Sequence, residues 1–315
     1  MSALNDAVEE YLTIRRALGS AIPRAAAELR GFANFLEGEG ADFVTTQAAL
    51  RWAQQSARAQ PATWADRLGV VRRFAEWRSL ADPRTEIPPR GLLPHRRRRK
   101  PPYIYSDEEV ERLVAQAARL PSPTGLRGPT FVTLFGLLAA SGLRLGEALA
   151  LDVADVDLGE GTLAVRKAKF GKSRFVPLHE STRGVLLHYA SIRDHILPQR
   201  PVEAFFVTER GTRIQHGMAE WTFAKVSCAI GLRAPAPPDC NGRGPRLHDL
   251  RHRFAAARIV AWYKAGLDVE RELPKLATYL GHVHVRHSYW YIEAVPELLQ
   301  LATERLTGQR RQVMP

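Results

Sequence analysis

Residues 87–103 read Ile-Pro-Pro-Arg-Gly-Leu-Leu-Pro-His-Arg-Arg-Arg-Arg-Lys-Pro-Pro-Tyr, and this stretch decides how the rest of the chain is divided. Pro88, Pro89, Pro94, Pro101 and Pro102 forbid a continuous helix, while Arg96, Arg97, Arg98, Arg99 and Lys100 form one run of cations. Both features favour an extended, solvated connector. We therefore read 87–103 as a basic interdomain linker between residues 1–86 and residues 104–315.

Ahead of the linker the pattern is helical throughout. Leu4–Leu18, Arg24–Glu37, Thr46–Gln60 and Thr63–Ser79 carry apolar residues at three- and four-residue spacing, with breaks at Gly19, at 38–40 and at Gln60-Pro61. This predicts a compact four-helix unit. Its third and fourth helices carry Arg51, Arg58, Arg67, Arg72 and Arg73. Together with Arg96–Lys100, these are candidates for contact with a polyanion backbone.

Beyond the linker the pattern changes. Ser106 followed by Asp107-Glu108-Glu109 is a helix start with a capping box and an acidic first turn. The apolar run 130–140 predicts a helix stopped at Ser141-Gly142, and another begins near Arg144. Thr162–Arg166 and Arg174–Leu178 have strand character around a turn at Phe170-Gly171, hence a β-hairpin. Residues 180–195, 216–231, 248–265 and 295–306 again read as helices, the last an apolar-faced tail over 296–308. The fold class expected is mainly α with a small β-hairpin or sheet.

Composition narrows the function. The 315 residues hold 45 Lys+Arg against 33 Asp+Glu, a net charge of +12 that fits a polyanionic partner. Residues 1–100 contain 17 basic and 11 acidic side chains, and the 96–100 run supplies five of that surplus of six. Hydrophobic content of 45% with 25% charged residues excludes general disorder. Two cysteines, Cys228 and Cys240, cannot build a disulfide framework or a four-thiolate zinc site. No apolar run approaches the ~20 residues a bilayer span needs. No signal-peptide layout opens the chain, so the expectation is a cytoplasmic, nucleoid-associated protein without a membrane partner.

Five segments concentrate residues suited to phosphate: Ser141-Gly142-Leu143-Arg144-Leu145-Gly146-Glu147, the 167–172 stretch with Lys169 and Lys172, His248-Asp249-Leu250-Arg251, Leu280-Gly281-His282, and Tyr289-Trp290-Tyr291. Singly, each has a structural explanation, as surface charge, hairpin tip, cap or packing. Their order resembles the catalytic domain of the tyrosine recombinases, or phage integrases. In that pattern an Arg follows a Thr/Ser-Gly-Leu, with an acidic residue three positions on. A hairpin Lys, His-x-x-Arg and Leu-Gly-His come next, and a Tyr lies nine residues past the last His.

The resemblance implies a two-domain fold: a helical, SAM-like core-binding domain, then an α+β catalytic domain closing a C-shaped clamp on DNA. It implies Arg144, Lys169, His248, Arg251, His282 and Tyr291 as catalytic residues, Glu147, Lys172 and Asp249 as supporting ones, and Arg174 as a further DNA contact. The reaction implied is site-specific strand exchange through a covalent 3′-phosphotyrosine, without metal, ATP or other cofactor. Lys172 competes with Lys169, and Tyr289 with Tyr291. Phe170 stands where many members have Gly after the Lys. The long stretch 260–280 and the Tyr-Trp-Tyr segment are similar to the transposon-borne branch, which points to mobilisation of a transposon-like element. The implied partners are double-stranded DNA and sister protomers, in a homo- or hetero-tetramer.

Three rival readings remain. A type IB topoisomerase-like enzyme shares the Tyr, Arg, Lys and His chemistry, and a catalytically silent regulator would keep the fold alone. A metal-dependent nuclease could draw on His248, His252, His282, His284 and His287, although no carboxylates are obviously placed beside them.

Overall fold

The computed structural model describes residues 3–20, 22–56, 59–94, 102–166, 173–199, 202–235 and 244–282. Two units divide the chain at 100/101.

In the first unit, α1 (Ala3–Ala17), α2 (Pro23–Gly38), α3 (Thr46–Gln54) and α4 (Pro61–Arg78) enclose a core that includes Leu12, Leu29, Phe32, Trp52, Val71 and Phe74. Pro23 and Pro61 sit at the first helical position, where the missing N–H has no helical partner to lose. Thr45 caps α3 by accepting from the Ala48 N–H at 3.1 Å. This helix stops at Gln54, six residues before the predicted Gln60. Pro61 keeps a helix from running through Gln60, which is extended at φ −69°, ψ 148°, but nothing in the structure explains the earlier stop at Gln54.

The second unit opens with α5 (Asp107–Ala118), whose Ser106–Glu109 capping box forms as predicted. Next comes α6 (Arg127–Ser141), which is buried around most of its circumference, as its apolar sequence requires. At Gly128 a Cβ would lie 2.9 Å from the Ala118 carbonyl oxygen, so glycine permits the close approach of α5 and α6. After α7 (Leu145–Ala150) and a short 3₁₀ turn comes a three-stranded antiparallel sheet. Its strands are β1 (Val156–Asp157), β2 (Thr162–Val165) and β3 (Arg174–Pro177), in the order β1-β2-β3. Val165 pairs with Arg174 and Thr162 with Pro177; Leu163, Val165 and Val176 point into the core at the period of two. The hairpin matches the expectation, while two-residue β1 is too short to leave a sequence pattern.

Helices α8 (Glu180–Ile196), α9 (His216–Ala229) and α10 (Leu247–Lys264) follow the predicted spans closely. The last described helix, α11 (Val269–Leu280), is not anticipated, because Pro274 sits inside it. Asp268 caps it by accepting from the N–H groups of Glu270 and Arg271, and Val269, Leu273, Leu276 and Leu280 pack on Phe254 and Ile259 of α10. Burial of that face outweighs the hydrogen bond that proline removes. Among the described residues, no helix is long and apolar enough to cross a membrane.

Gly142 ends α6 in the left-handed region at φ 62°, and a Cβ there would come within 2.6 Å of the Phe254 ring. Gly142→Ala combines backbone strain with overpacking and is expected to lower stability by about 2–4 kcal/mol, read as a reduced urea midpoint.

Candidate active site

An α-helix leaves its last four carbonyls without intrahelical partners. In α11 the first of these groups are closed by the chain itself, since Gly281 donates to Thr278 and His282 donates to Ala277. The next three carbonyls each accept from an arginine brought from elsewhere. Arg174 Nε donates to Tyr279 at 2.7 Å, Arg251 Nη2 to Leu280 at 2.6 Å, and Arg144 Nη2 to Gly281 at 3.1 Å. The partial negative charge of a helix C-terminus favours this gathering of cations.

Each arginine is delivered by a different local device. Arg144 is the extended residue before α7, and Glu147, three positions on, accepts both its backbone N–H (3.0 Å) and its Nη1 (2.6 Å). Arg251 lies on the inner face of α10, 2% exposed, and also donates Nη1 to the carbonyl of Gly142 at 2.7 Å. Arg174 enters from β3 and grips both oxygens of Glu147, at 3.1 and 2.8 Å. Burial pushes the Glu147 carboxyl up, but the hydrogen bonds from Arg174 and Arg144 outweigh it and hold the pKa at about 2. One carboxylate therefore stands against three guanidiniums, which leaves positive charge in excess where α11 ends and His282 begins.

His248, in the first turn of α10, keeps an exposed face. The protein packed around it and the nearby Arg251 guanidinium nevertheless lower its pKa, which keeps the imidazole neutral and able to accept a proton near pH 7. Its ring meets that of His252 edge to face at 4.8 Å. Desolvation and His248 push His252 down to about 4. Asp249 is buried and caps α10 by accepting the Arg246 backbone N–H at 2.8 Å, with Arg246 Nη2 at 3.0 Å. The entry to this unit is tied to the same helix: Tyr105 donates its hydroxyl to the Arg246 carbonyl at 3.1 Å, and Asp107 pairs with Arg253.

The structure thus brings Arg144, Glu147, Arg251 and the start of the His282 segment together, with His248 on the same helix as Arg251. Lys169, Lys172 and Tyr291 lie outside the described residues, as do Tyr289, His284, His287, the hairpin turn and the tail over 296–308. The guanidinium of Arg174, expected as a DNA contact, is turned inward onto Glu147 and Tyr279. No sequence motif marks that role, since a backbone carbonyl has no side-chain signature.

In the first unit the candidate cations divide by what they touch. Arg67 lies 4.1 Å from the Trp52 ring centroid and donates to the Ala53 carbonyl, joining α4 to α3. Arg72 donates to the carbonyls of Pro88 and Pro89, so it holds the chain leaving the unit. Arg51 pairs with Glu39 on the surface, and Arg73 is exposed. Arg58 and Arg96–Lys100 lie outside the described residues. Among the described residues, no three His, Cys, Asp or Glu side chains gather as metal ligands.

Comparison with known proteins bears on the whole arrangement. The sequence profile of the phage integrase family matches residues 104–297. A putative integrase/recombinase of Sinorhizobium fredii, y4rB, is 47% identical over 310 residues, covering 97% of this chain and 98% of its own. Among solved structures, the Tn1549 transposon integrase in complex with transposon right end DNA superposes with a TM-score of 0.65 at 14% identity, covering 96% of this chain and 99% of that one. A lambda integrase tetramer bound to a Holliday junction gives 0.62 at 16% identity over 89% of this chain and 77% of that one. At such identities the superpositions speak for the fold, and the family profile and the close relative speak for descent. The chain belongs to the phage integrase family, the tyrosine recombinases, whose members break and rejoin DNA.

Proposed function

We propose that this protein is a site-specific recombinase that cleaves and rejoins DNA through a covalent 3′-phosphotyrosine, and that it mobilises a transposon-like element. The observation that carries the reading is the convergence of Arg144 and Arg251 on the end of α11, beside His248 and the His282 segment.

A phosphodiester is already anionic, and attack builds further charge on its oxygens, so preplaced donors lower the barrier most. Arg144 and Arg251 offer planar forks to the non-bridging oxygens, which a lysine ammonium cannot imitate. His282 adds a hydrogen bond to the same phosphate. The hydroxyl of Tyr291 attacks phosphorus and gives its proton to His248, whose lowered pKa leaves it free to accept. The bond to the 5′-oxygen breaks, and that oxygen takes a proton from Lys169. Rejoining reverses the roles: the 5′-hydroxyl of another strand attacks the phosphotyrosine and restores the tyrosine. In this scheme the cations come from the chain itself, and neither a metal nor a nucleotide takes part.

Residues 1–86 would form the core-binding domain and 104–315 the catalytic domain, with 87–103 laying Arg96–Lys100 along the duplex. Strand exchange between two sites calls for several protomers, and the 296–308 tail is the segment we assign to docking on a neighbour. A tetrameric relative on a junction supports that assembly.

The test is a nicked duplex, cut from DNA flanking the gene, incubated with the protein in excess EDTA. A DNA-linked species that survives denaturant and disappears with protease is expected. Binding without any such species favours the silent regulator, and relaxation of plasmid lacking paired sites favours the topoisomerase-like alternative.

A further inference from the structure

Arg174 is only 13% exposed, and it bonds to Glu147 and Tyr279, residues 27 and 105 positions away in sequence. Its guanidinium joins β3 to Glu147 in α7 and to Tyr279 in the last turn of α11. Glu147 in turn holds Arg144 by both backbone and side chain. Gly281 fits the same arrangement, because a Cβ there would lie 2.8 Å from Arg174 Nη1. At φ 67° that glycine also turns the chain from α11 into His282.

We propose that Arg174 is a positioning residue for DNA cleavage: it clamps Glu147 and the end of α11 onto β3, and so fixes both the Arg144 guanidinium and the chain leading into His282. The proposal rests on reading this site as the phosphodiester-cleaving centre. Charge alone does not account for the arrangement. A lysine at this position would keep a cation opposite Glu147, but a compact ammonium cannot provide two parallel bonds to the carboxylate and a third, coplanar bond to the Tyr279 carbonyl. Lysine therefore separates geometry from charge.

Adduct formation on the nicked duplex is measured at saturating protein for the wild type and for Arg174→Lys, alongside DNA affinity and the urea midpoint. The variant is expected to keep its DNA affinity and to lose only a little in midpoint, as lysine keeps the charge opposite Glu147, while forming adduct about 100-fold more slowly, the size of effect that a misplaced reacting group produces. Combining Arg174→Lys with Arg144→Lys should then cost much less than the product of the two single losses, because both changes relax one clamp. Wild-type rates in Arg174→Lys overturn the proposal, as do losses that multiply in the double variant. A lowered midpoint with weakened DNA affinity also overturns it, by making Arg174 a stability residue. If the wild type itself forms no adduct, it is the cleavage reading that fails.

Discussion

Tyr291→Phe is expected to bind DNA as the wild type does and to yield no covalent adduct on a nicked duplex. A phenol ordinarily ionises near pH 10, so its oxygen needs a base and a strongly positive surrounding to attack at neutral pH. In the proposed mechanism the excess of guanidiniums at the end of α11 would supply the positive potential, and neutral His248 would supply the base. Phenylalanine keeps the ring and deletes only the attacking oxygen, so the loss is absolute for chemistry and neutral for binding. An adduct formed by the Tyr291→Phe protein would show that another group attacks. Tyr289 is then the first to examine, since it lies two residues away in sequence.

The second large effect is expected at Arg251. Arg251→Lys should slow single-turnover cleavage by on the order of 10²–10³, as loss of a preorganised transition-state donor does. Arg251 also serves the fold, since its Nη atoms satisfy the Gly142 and Leu280 carbonyls at two helix ends. Arg251→Ala would leave both buried acceptors without these donors at about 1–3 kcal/mol each. Lysine is therefore the more informative substitution, retaining the charge and one reaching donor. An Arg251→Lys protein that folds and binds but cleaves at the wild-type rate would remove Arg251 from the phosphate site.

These two arginines of the site, Arg144 and Arg251, are legible in sequence because their motifs are local: His248-Asp249-Leu250-Arg251 spans one helical turn, and Ser141-Gly142-Leu143-Arg144 a helix stop and a helix start. The hairpin and helices α1–α10 follow from periodicity, caps and breakers in the same way. Helix α11 does not, because Pro274 is a strong local signal against helix, whereas the compensating contact with α10 is tertiary. The internal partners of Arg174 are hidden for a related reason. On an alternating strand an arginine reads as a surface cation, and its partners lie 27 and 105 residues away. In the first unit, Arg67 and Arg72 read as candidates for contact with a polyanion backbone, and their bonds to the Ala53, Pro88 and Pro89 carbonyls are invisible in a residue pattern.

The three acceptors that gather the arginines belong to the main chain of residues 279–281, and a peptide carbonyl is the same whatever side chain it carries. Substitutions at Tyr279 or Leu280 therefore perturb only packing, such as the stacking of Tyr279 on Phe254 at 5.6 Å, and leave the hydrogen-bond geometry in place if volume is kept. Position 281 is different, since its left-handed backbone strains any other residue and a Cβ would displace the adjacent guanidinium. A site anchored this way can drift widely in sequence around its charged residues while the arrangement of those residues persists, with a single glycine as the point of little tolerance.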